Sequence, residues 1–323
     1  MQISIIMPAY NSERTIKRAL DSVTSILCDD IELVIVDDGS TDNTFNICNS
    51  YQEKYPSIKI VKSQNMGVSN ARNKGMDLSA GKYIMFMDSD DENLLNKEDF
   101  DILKKNPEFV LFSYSVKKAF EKKEKFSIVP KEYIKAPLLP RYIIENYDLF
   151  SSPWAKIYKK DLIKKNKLQF PNNQKYGEDT VFVFSFLSFI KNEILVSNII
   201  SYKYYLYSNS ASGFKVYHNK MNQYLYNILK SYLAMNGERQ YIEKLANYLF
   251  DKAIMHYYLN NNFQEFKINY LETYDYFKEY MNPDTINNEV FKYKYPVNEK
   301  ILEIYTRNLK YKLKNNIKKI LWR

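Results

Sequence analysis

The N-terminal third of the chain alternates short apolar runs with segments whose apolar residues recur at helical spacing. Apolar, β-branched runs predict buried strands, whereas apolar residues three or four positions apart predict amphipathic helices. The pattern predicts strands at 3–7, 31–36, 58–61 and 83–87, with a helix after each of the first three and Ser12 as the cap of the first helix. Because parallel strands need crossover connections, this alternation predicts an α/β fold with a mainly parallel, Rossmann-like sheet flanked by helices.

The rest of the chain is less regular. A strand is predicted at 109–116, and the lysine-rich run at 117–125 is typical of a solvated hairpin or loop. Phe182 and Phe186 recur at helical spacing, and helical periodicity dominates from about residue 216 onwards. The chain contains neither Gly-x-Gly-x-x-Gly nor a Gly-Lys-Thr/Ser phosphate loop, which argues against a dinucleotide-binding or P-loop unit.

Carboxylates follow directly after two of the predicted strands. Asp88 and Asp90 follow the fourth strand, and Asp38 follows the second. Ligands of open α/β sheets bind at the carboxyl ends of the strands, so these acids lie where chemistry is expected. Asp88 and Asp90 can reach one hard cation such as Mg²⁺ or Mn²⁺ while Ser89 turns away; the alternative is an acidic loop that caps the next helix.

The composition argues against several classes of protein. Two cysteines among 323 residues, Cys28 and Cys48, form no disulfide framework or zinc pattern, so we expect a reducing compartment. No run approaches the roughly 20 apolar residues of a membrane span, and the first residues lack the basic leader of a signal peptide, which predicts a cytoplasmic protein. The net charge of +9 does not indicate nucleic-acid binding, because the abundant Lys, Asn, Ile and Tyr partly reflect an AT-rich coding bias. We expect no nucleic-acid partner.

Four motifs follow one another with natural spacing: Pro8–Asn11, Val36–Asp42, Asn65–Gly75 and Met87–Asp91. Together they resemble family 2 of the nucleotide-sugar glycosyltransferases, which has the GT-A fold. The resemblance spans about residues 1–210 and implies metal-dependent, inverting transfer of a hexose or N-acetylhexosamine from a UDP-sugar to a hydroxyl. It is strongest to bacterial enzymes of capsule, lipo-oligosaccharide and related polysaccharide synthesis, so a glycan or a polyprenyl-linked saccharide is the expected acceptor.

The same resemblance divides the chain into domains. It implies a GT-A catalytic domain at 1–212, with a nucleotide-binding half at 1–115 and an acceptor-side half at 116–212. A helical region at 213–323 follows, and it ends in a basic amphipathic tail at 305–323. Such a tail can lie on the cytoplasmic membrane surface, where a polyprenyl-linked acceptor would be found, or pack on its own domain.

The resemblance also implies a set of donor-binding residues. They are Pro8, Ala9, Tyr10, Asn11, Asp38, Asn65, Gly67, Arg72, Asp88, Ser89 and Asp90. Asp38 can accept the imide N–H of uracil or cap a helix, and Tyr10 can lie against the base or pack in the core. Arg72 can contact carbonyl or phosphate oxygens or face solvent. Asp90 and Asp88 would hold Mn²⁺ or Mg²⁺ at the diphosphate of the donor.

Two further segments carry candidate catalytic and pocket residues. Glu178 and Asp179 fall in the first turn of a predicted helix, where interaction with the helix dipole is the simplest explanation. In enzymes that this chain resembles, a Glu-Asp pair supplies the general base, which implies Asp179 as the base and Glu178 as the second candidate. The segment around Trp154 and Lys156 resembles a Trp-x-Lys-x-Tyr pattern and implies a wall of the sugar pocket; a core tryptophan is the alternative.

His218 is a third candidate metal ligand, because some GT-A enzymes use a late histidine; a surface or packed imidazole is the alternative. Two other functions remain open from the sequence. One is a sugar nucleotidyltransferase on a related sheet, although its glycine-rich phosphate loop is absent. The other is a non-catalytic, basic membrane-associated or nucleic-acid-binding protein that retains the fold.

Overall fold

The computed structural model describes residues 1–118, 123–207, 220–260 and 263–281. The chain forms two compact units. The sheet unit comprises Met1–Leu138, Ser152–Asn173 and Phe189–Ser210; the helical unit comprises Leu139–Ser151, Gln174–Ser188 and the described residues from 220 onwards. Both units are assembled from separate segments, whereas the expected domains are contiguous. The expected functional division of the chain at residues 115 and 212 stays a prediction.

Within the described residues, ten strands form one sheet. They are β1 Ile3–Ala9, β2 Ile31–Asp37, β3 Ile58–Lys62, β4 Tyr83–Phe86, β5 Glu92–Asn93, β6 Phe109–Lys118, β7 Glu124–Ser127, β8 Glu132–Lys135, β9 Lys156–Lys159 and β10 Glu193–Leu206. The order is β3-β2-β1-β4-β9-β6-β10-β5, with β7 paired to β6 and β8 paired to β10. The strands predicted in the N-terminal third and at 109–116 are confirmed, and β7 folds back on β6 as a hairpin.

The direction of the strands changes across the sheet. β1 to β4 are parallel, as the alternating pattern predicts. β9 runs antiparallel to both β4 and β6, whereas β6 and β10 are parallel to each other. The expected mainly parallel order therefore holds for β1 to β4, and the complete sheet is mixed.

The helices are α1 Ile16–Thr24, α2 Thr44–Gln52, α3 Val68–Leu78, α4 Leu139–Glu145, α5 Tyr147–Phe150, α6 Lys160–Lys165, α7 Glu178–Leu187, α8 Met221–Leu233, α9 Arg239–Asn260 and α10 Phe263–Phe277. Two 3₁₀ segments lie at Lys97–Lys105 and Ala136–Leu138. None of the helices in the described ranges is long and apolar enough to cross a membrane.

Alternating residues of β1 explain how helices cover both faces of the parallel strands. Ile3 and Ile5 belong to the buried core that also contains Leu20 of α1. Ile6 points to the other face, where Gly75 of α3 lies against it: a Cβ at Gly75 would come within 2.4 Å of the Ile6 Cγ2 atom. Glycine therefore allows α3 to approach the sheet closely.

A buried carboxylate ties the first three strands together. Glu32 on β2 has no exposed surface, and it accepts hydrogen bonds from the Ser4 hydroxyl at 2.5 Å, the Ala80 amide at 2.6 Å and the Lys59 ammonium at 2.6 Å. Burial alone would raise the pKa of Glu32, but these hydrogen bonds outweigh burial and hold the pKa below its ordinary value.

The helical unit contains α4, α5 and α7 to α10. The helical character predicted beyond residue 216 is confirmed for α8, α9 and α10. Its core is aromatic; for example, Phe184 lies 5.8 Å from Tyr232 between ring centroids, and Phe250 lies 5.8 Å from Tyr270. His218 and the tail at 305–323 lie outside the described residues, so their expected roles stay predictions.

Candidate active site

The carboxyl ends of β2, β1 and β4 meet at one edge of the sheet, because these strands are parallel neighbours. The Asp38 amide donates to the Ala9 carbonyl at 2.8 Å, and the Met87 amide donates to the Ile6 carbonyl at 3.0 Å. The predicted donor residues of the first, second and fourth motifs, which begin at Pro8, Val36 and Met87, are therefore brought together. This edge is the position at which open α/β sheets bind ligands.

Asp38 connects this edge to the loop before α3. The carboxylate is buried, and its oxygens accept the backbone amides of Met66 at 3.0 Å and Gly67 at 2.7 Å. Gly39 has a φ of +78° and leaves no space for a side chain, because a Cβ would lie 2.9 Å from the Asn65 nitrogen. Asp38 thus orders the Asn65–Gly67 loop, and its contact with a base stays a prediction.

Tyr10 and Asn11 form the turn after β1. The Tyr10 side chain is 47% exposed, so its ring is accessible to a ligand. Asn11 has a φ of +47°, and its side-chain oxygen accepts the Thr41 amide at 2.8 Å while its own amide donates to the Ser40 hydroxyl at 3.0 Å. Asn11 therefore joins the first and second motifs.

Ser12 does not cap α1 with its side chain, contrary to the sequence-based expectation. Thr15 occupies the N-cap position without a side-chain capping hydrogen bond, and the Ser12 backbone carbonyl accepts the Thr15 amide at 2.9 Å. The Ser12 hydroxyl instead lies 2.8 Å from the Ser89 hydroxyl. This tertiary hydrogen bond links the turn after β1 to the acidic loop, which comprises Asp88–Asp91.

Arg72 lies on α3 and reaches the acidic loop. Its buried guanidinium donates to Asp88 Oδ1 at 2.9 Å, and its Cζ atom lies 5.2 Å from the centre of the Phe170 ring. The Asp88 side chain is 28% exposed. Arg72 is therefore not a solvent-facing helical arginine; it holds a predicted ligand in place, and its contact with nucleotide stays a prediction.

The acidic loop contains three carboxylates within four residues. Burial and the neighbouring charge of Asp88 raise the pKa of Asp90 to about 6. Burial and the charges of Asp88 and Asp90 raise the pKa of Asp91 well above its ordinary value. A bound cation would offset this repulsion, and the oxygen donors of Asp88 and Asp90 suit Mg²⁺ or Mn²⁺.

Among the residues that the structure describes, no three His, Cys, Asp or Glu side chains lie close enough to ligate one metal. Mg²⁺ is commonly held by one or two carboxylates together with substrate phosphates. The acidic loop fits that second arrangement, in which Asp88 and Asp90 supply the protein ligands.

Trp154 and Lys156 are buried in the sheet unit. The Trp154 ring stacks on Tyr202 with centroids 4.7 Å apart and planes 5° apart, and it also stacks on Tyr204 at 5.2 Å. The Lys156 ammonium donates to the Trp154 carbonyl at 3.0 Å. These contacts give both residues a structural role; their expected contact with sugar stays a prediction.

Glu178 and Asp179 occupy the first turn of α7 in the helical unit, as predicted. Gly177 precedes them with a φ of +72°, and a Cβ there would come within 2.6 Å of the Ile228 Cδ1 atom. Both acids are half-buried. The conformation of Gly177 therefore sets where α7 begins and how its two acids are presented.

The comparisons with known proteins agree with this geometry. The family model described as Glycosyl transferase family 2 matches residues 4–97. Poly(ribitol-phosphate) beta-N-acetylglucosaminyltransferase TarP of Staphylococcus aureus (strain N315) is 30% identical over 247 residues, which cover 72% of this chain and 72% of the relative. The chain belongs to glycosyl transferase family 2. The uncharacterized glycosyltransferase YibD of Escherichia coli (strain K12) is 27% identical over 267 residues, 76% of this chain and 74% of the relative.

Solved structures confirm the fold of this family 2 glycosyltransferase. The crystal structure of S. aureus TarS 1-349 in complex with UDP-GlcNAc matches with a TM-score of 0.70 and 23% identity, covering 88% of this chain and 82% of that chain. The expected GT-A fold is confirmed. Because the chain belongs to glycosyl transferase family 2, it is an enzyme that transfers glycosyl groups, and the alternatives of a nucleotidyltransferase and a non-catalytic protein are set aside.

Sequence patterns did not predict three residues that contact the acidic loop of this glycosyltransferase. The Arg18 guanidinium of α1 binds the Asp90 carbonyl, and the Tyr202 hydroxyl and Tyr205 amide of β10 bind Asp91. Among 30 tyrosines, no sequence signal distinguishes these two. Their contribution depends on β10 entering the same sheet as β4, which local periodicity does not report.

Proposed function

We propose that this enzyme is a metal-dependent, inverting glycosyltransferase that moves a sugar from a UDP-sugar to a hydroxyl of a bacterial surface polymer. The observation that carries the proposal is the acidic loop at the carboxyl ends of the parallel strands. There the half-exposed Asp88 and Asp90 share one edge of the sheet with the exposed Tyr10 ring. The names of the relatives support the donor and acceptor classes.

The uridine would lie at the turn after β1. Tyr10 would stack on the base, and Asp38 and the Asn65–Gly67 loop would line the edge that carries the imide N–H. The lone pairs that Asp38 does not use on the Met66 and Gly67 amides would accept this donor. Arg72 would contact the nucleotide through its guanidinium group.

Asp88 and Asp90 would hold Mn²⁺ or Mg²⁺. The metal, when bound, stabilises negative charge on the departing UDP. Ser89 lies between the two carboxylates, and its hydrogen bond with Ser12 keeps this loop close to the turn that carries Tyr10. Deprotonated Asp90 is required for this role, so proton and cation would compete for its carboxylate.

Asp179 would act as the general base, with Glu178 as the second candidate. Inversion requires a carboxylate that faces the anomeric carbon from the side opposite the diphosphate and takes the proton of the attacking hydroxyl. Both acids lie in the first turn of α7, where the helix dipole favours negative charge.

The acceptor would be a polyanionic surface glycan. The relative TarP is named for poly(ribitol-phosphate) and another relative is a poly(ribitol-phosphate) beta-glucosyltransferase of Bacillus spizizenii. Poly(ribitol-phosphate) is therefore the first acceptor to test, and UDP-GlcNAc is the first donor.

The proposal predicts metal-dependent release of UDP from one member of a panel of UDP-sugars. We would measure UDP release with Mn²⁺, with Mg²⁺ and with chelator, first without and then with poly(ribitol-phosphate). Asp179→Ala should lower transfer by about 10²–10⁴-fold while UDP binding is kept, because general-base catalysis contributes roughly that factor.

Three outcomes would overturn parts of the proposal. Turnover that persists with chelator would show that the reaction does not require a metal. Full activity of Asp179→Ala would show that Asp179 is not the general base. If no UDP-sugar is turned over and UDP does not bind, the donor would be another nucleotide sugar.

A further inference from the structure

The acidic loop is hydrogen-bonded to Tyr202, which lies 114 residues after Asp88 in the sequence. The Tyr202 hydroxyl accepts the Asp88 amide at 3.0 Å and donates to Asp91 Oδ2 at 2.7 Å. Asp91 Oδ1 accepts the Tyr205 amide at 2.8 Å. Both ends of the acidic loop are therefore tied to β10, and the Asp91 amide closes the loop on the Asp88 carbonyl at 3.3 Å.

The hydrogen bonds between Tyr202 and the acidic loop are buried, and the Tyr202 ring is held in place by packing. Asp91 has no exposed surface and Tyr202 is 3% exposed, so water does not compete for their hydrogen bonds. Trp154 stacks face to face on the Tyr202 ring, which fixes the direction in which the hydroxyl points. Hydrogen bonds to charged groups in such surroundings are stronger than those between neutral groups.

Asp91 differs from the two predicted ligands in its exposure. Its carboxyl lies within the same four-residue loop as Asp88 and Asp90, but it has no exposed surface, whereas they are partly exposed. Burying a polar group is unfavourable unless it is hydrogen-bonded. The two hydrogen bonds of Asp91 to β10 satisfy its oxygens and hold the backbone that carries Asp88 and Asp90.

We propose that Tyr202 and Asp91 are positioning residues that act as one unit to hold the acidic loop in the conformation that binds the metal-bound donor. The inference rests on the proposed function, because the donor and metal are those assigned to Asp88 and Asp90. Without the Tyr202 hydroxyl, the Asp88 amide and one Asp91 oxygen lose their partner. The acidic loop then populates other conformations. The apparent affinity for the metal-bound donor falls in proportion to the fraction of molecules that keep the binding conformation.

The test compares Tyr202→Phe with Tyr83→Phe. Tyr83 lies at the other end of β4, is equally buried, and its hydroxyl contacts Asn106 at 3.1 Å, so its variant is a matched loss of one buried hydroxyl. We would measure UDP affinity by calorimetry with Mn²⁺ and with chelator, together with thermal unfolding. Tyr202→Phe should weaken Mn²⁺-dependent UDP binding about tenfold or more and leave binding in chelator within about twofold.

Asp91→Asn provides a second variant should Tyr202→Phe fold poorly. It keeps the acceptor for the Tyr205 amide but places an N–H group opposite the Tyr202 hydroxyl. If the two residues act as one unit, the double variant should be no weaker in Mn²⁺-dependent UDP binding than the weaker single variant. Additive losses would overturn the proposal that they act together.

The remaining outcomes distinguish the proposed function from the positioning role of Tyr202 and Asp91. Wild type without any Mn²⁺-dependent UDP binding would overturn the proposed function itself. Normal wild-type binding with unchanged Tyr202→Phe binding would overturn only the positioning role. Equal losses in Tyr202→Phe and Tyr83→Phe, or equal losses with Mn²⁺ and with chelator, would show a general effect on folding and would also overturn it.

Discussion

Within the sheet unit, the half formed by β1 to β4 differs from the half formed by β9, β6 and β10 in how the chain builds it. In the first half, each of the first three strands is followed by a helix, and all four strands come from the first 86 residues of the chain. In the second half, strands come from distant segments and enter in both directions. The first half carries the candidate ligands Asp88 and Asp90, and the second half supplies Tyr202, which holds them.

This difference shows that the candidate ligands and the residues that hold them in place need not belong to the same sequence motif. A motif of four acidic and hydroxyl residues can be recognised wherever it occurs, because its residue types are unusual after an apolar strand. Its supports are common residues such as tyrosine, whose role comes from position alone. Substitutions in the two halves should therefore separate loss of chemistry from loss of placement or stability.

The largest expected effect is on the chemistry of the first half. Asp90→Ala should lower metal-dependent UDP-sugar turnover about a thousandfold, since metal stabilisation of the leaving group contributes several kcal/mol. The midpoint temperature of thermal unfolding should stay the same or rise. Burial and Asp88 raise the pKa of Asp90 to about 6, so its ionised form destabilises the fold at neutral pH.

Asp101→Ala is the matched control for that variant. Asp101 is an exposed carboxylate whose ion-pair partner among the described residues is the Lys104 ammonium at 2.7 Å, so its loss should leave turnover within about twofold. Equal turnover of Asp90→Ala and Asp101→Ala would contradict the assignment of the acidic loop to catalysis.

A smaller effect is expected from the buried charge that holds the first half together. Glu32→Gln should lower the free energy of unfolding by about 2 kcal/mol at pH 7, because one of its charge-assisted hydrogen bonds is lost. UDP affinity should be unchanged, since the hydrogen-bond partners of Glu32 in the part of the chain that the structure describes are Ser4, Lys59 and Ala80. Urea unfolding monitored by circular dichroism measures the difference.

The same pair of proteins gives a test of pH dependence. The folded-state pKa of Glu32 is below its ordinary value of about 4.3, so its contribution to stability is present above that pH and is lost as pH falls through the folded-state pKa. The difference between wild type and Glu32→Gln should therefore shrink on acidification. A constant difference between pH 7 and pH 3 would show that ionisation of Glu32 does not contribute.

The smallest perturbation is chemical labelling of the cysteines. Burial, and then the charge of Asp37, raise the pKa of Cys48 to about 12, and Cys48 has no exposed surface. Cys28 is partly exposed. A thiol reagent at pH 8 should modify Cys28 first and reach Cys48 only after unfolding, as peptide mass spectrometry would show. Rapid labelling of native Cys48 would mean that α2 opens from the first half readily.

Much of the fold follows from local sequence patterns. The strands β1 to β4 lie within one or two residues of the predicted bounds, and a helix follows each of the first three as predicted, because apolar periodicity acts locally. The four motifs were sufficient to identify the family. The assignments of Asp179 as the base, Trp154 as a wall of the sugar pocket and His218 as a metal ligand stay predictions, since they depend on where a substrate lies.

The sequence by itself determined the parallel half of the sheet, the order of the motifs and the glycosyltransferase family. Only the tertiary structure decided that Arg72 pairs with Asp88, that the Ser12 hydroxyl bonds to Ser89 and does not cap α1, and that β9 enters the sheet antiparallel. The physical reason is the distance along the sequence over which each interaction acts. Periodicity and capping act over a few residues, whereas the hydrogen bond between Tyr202 and Asp91 joins residues 111 apart and exists only after the strands have paired.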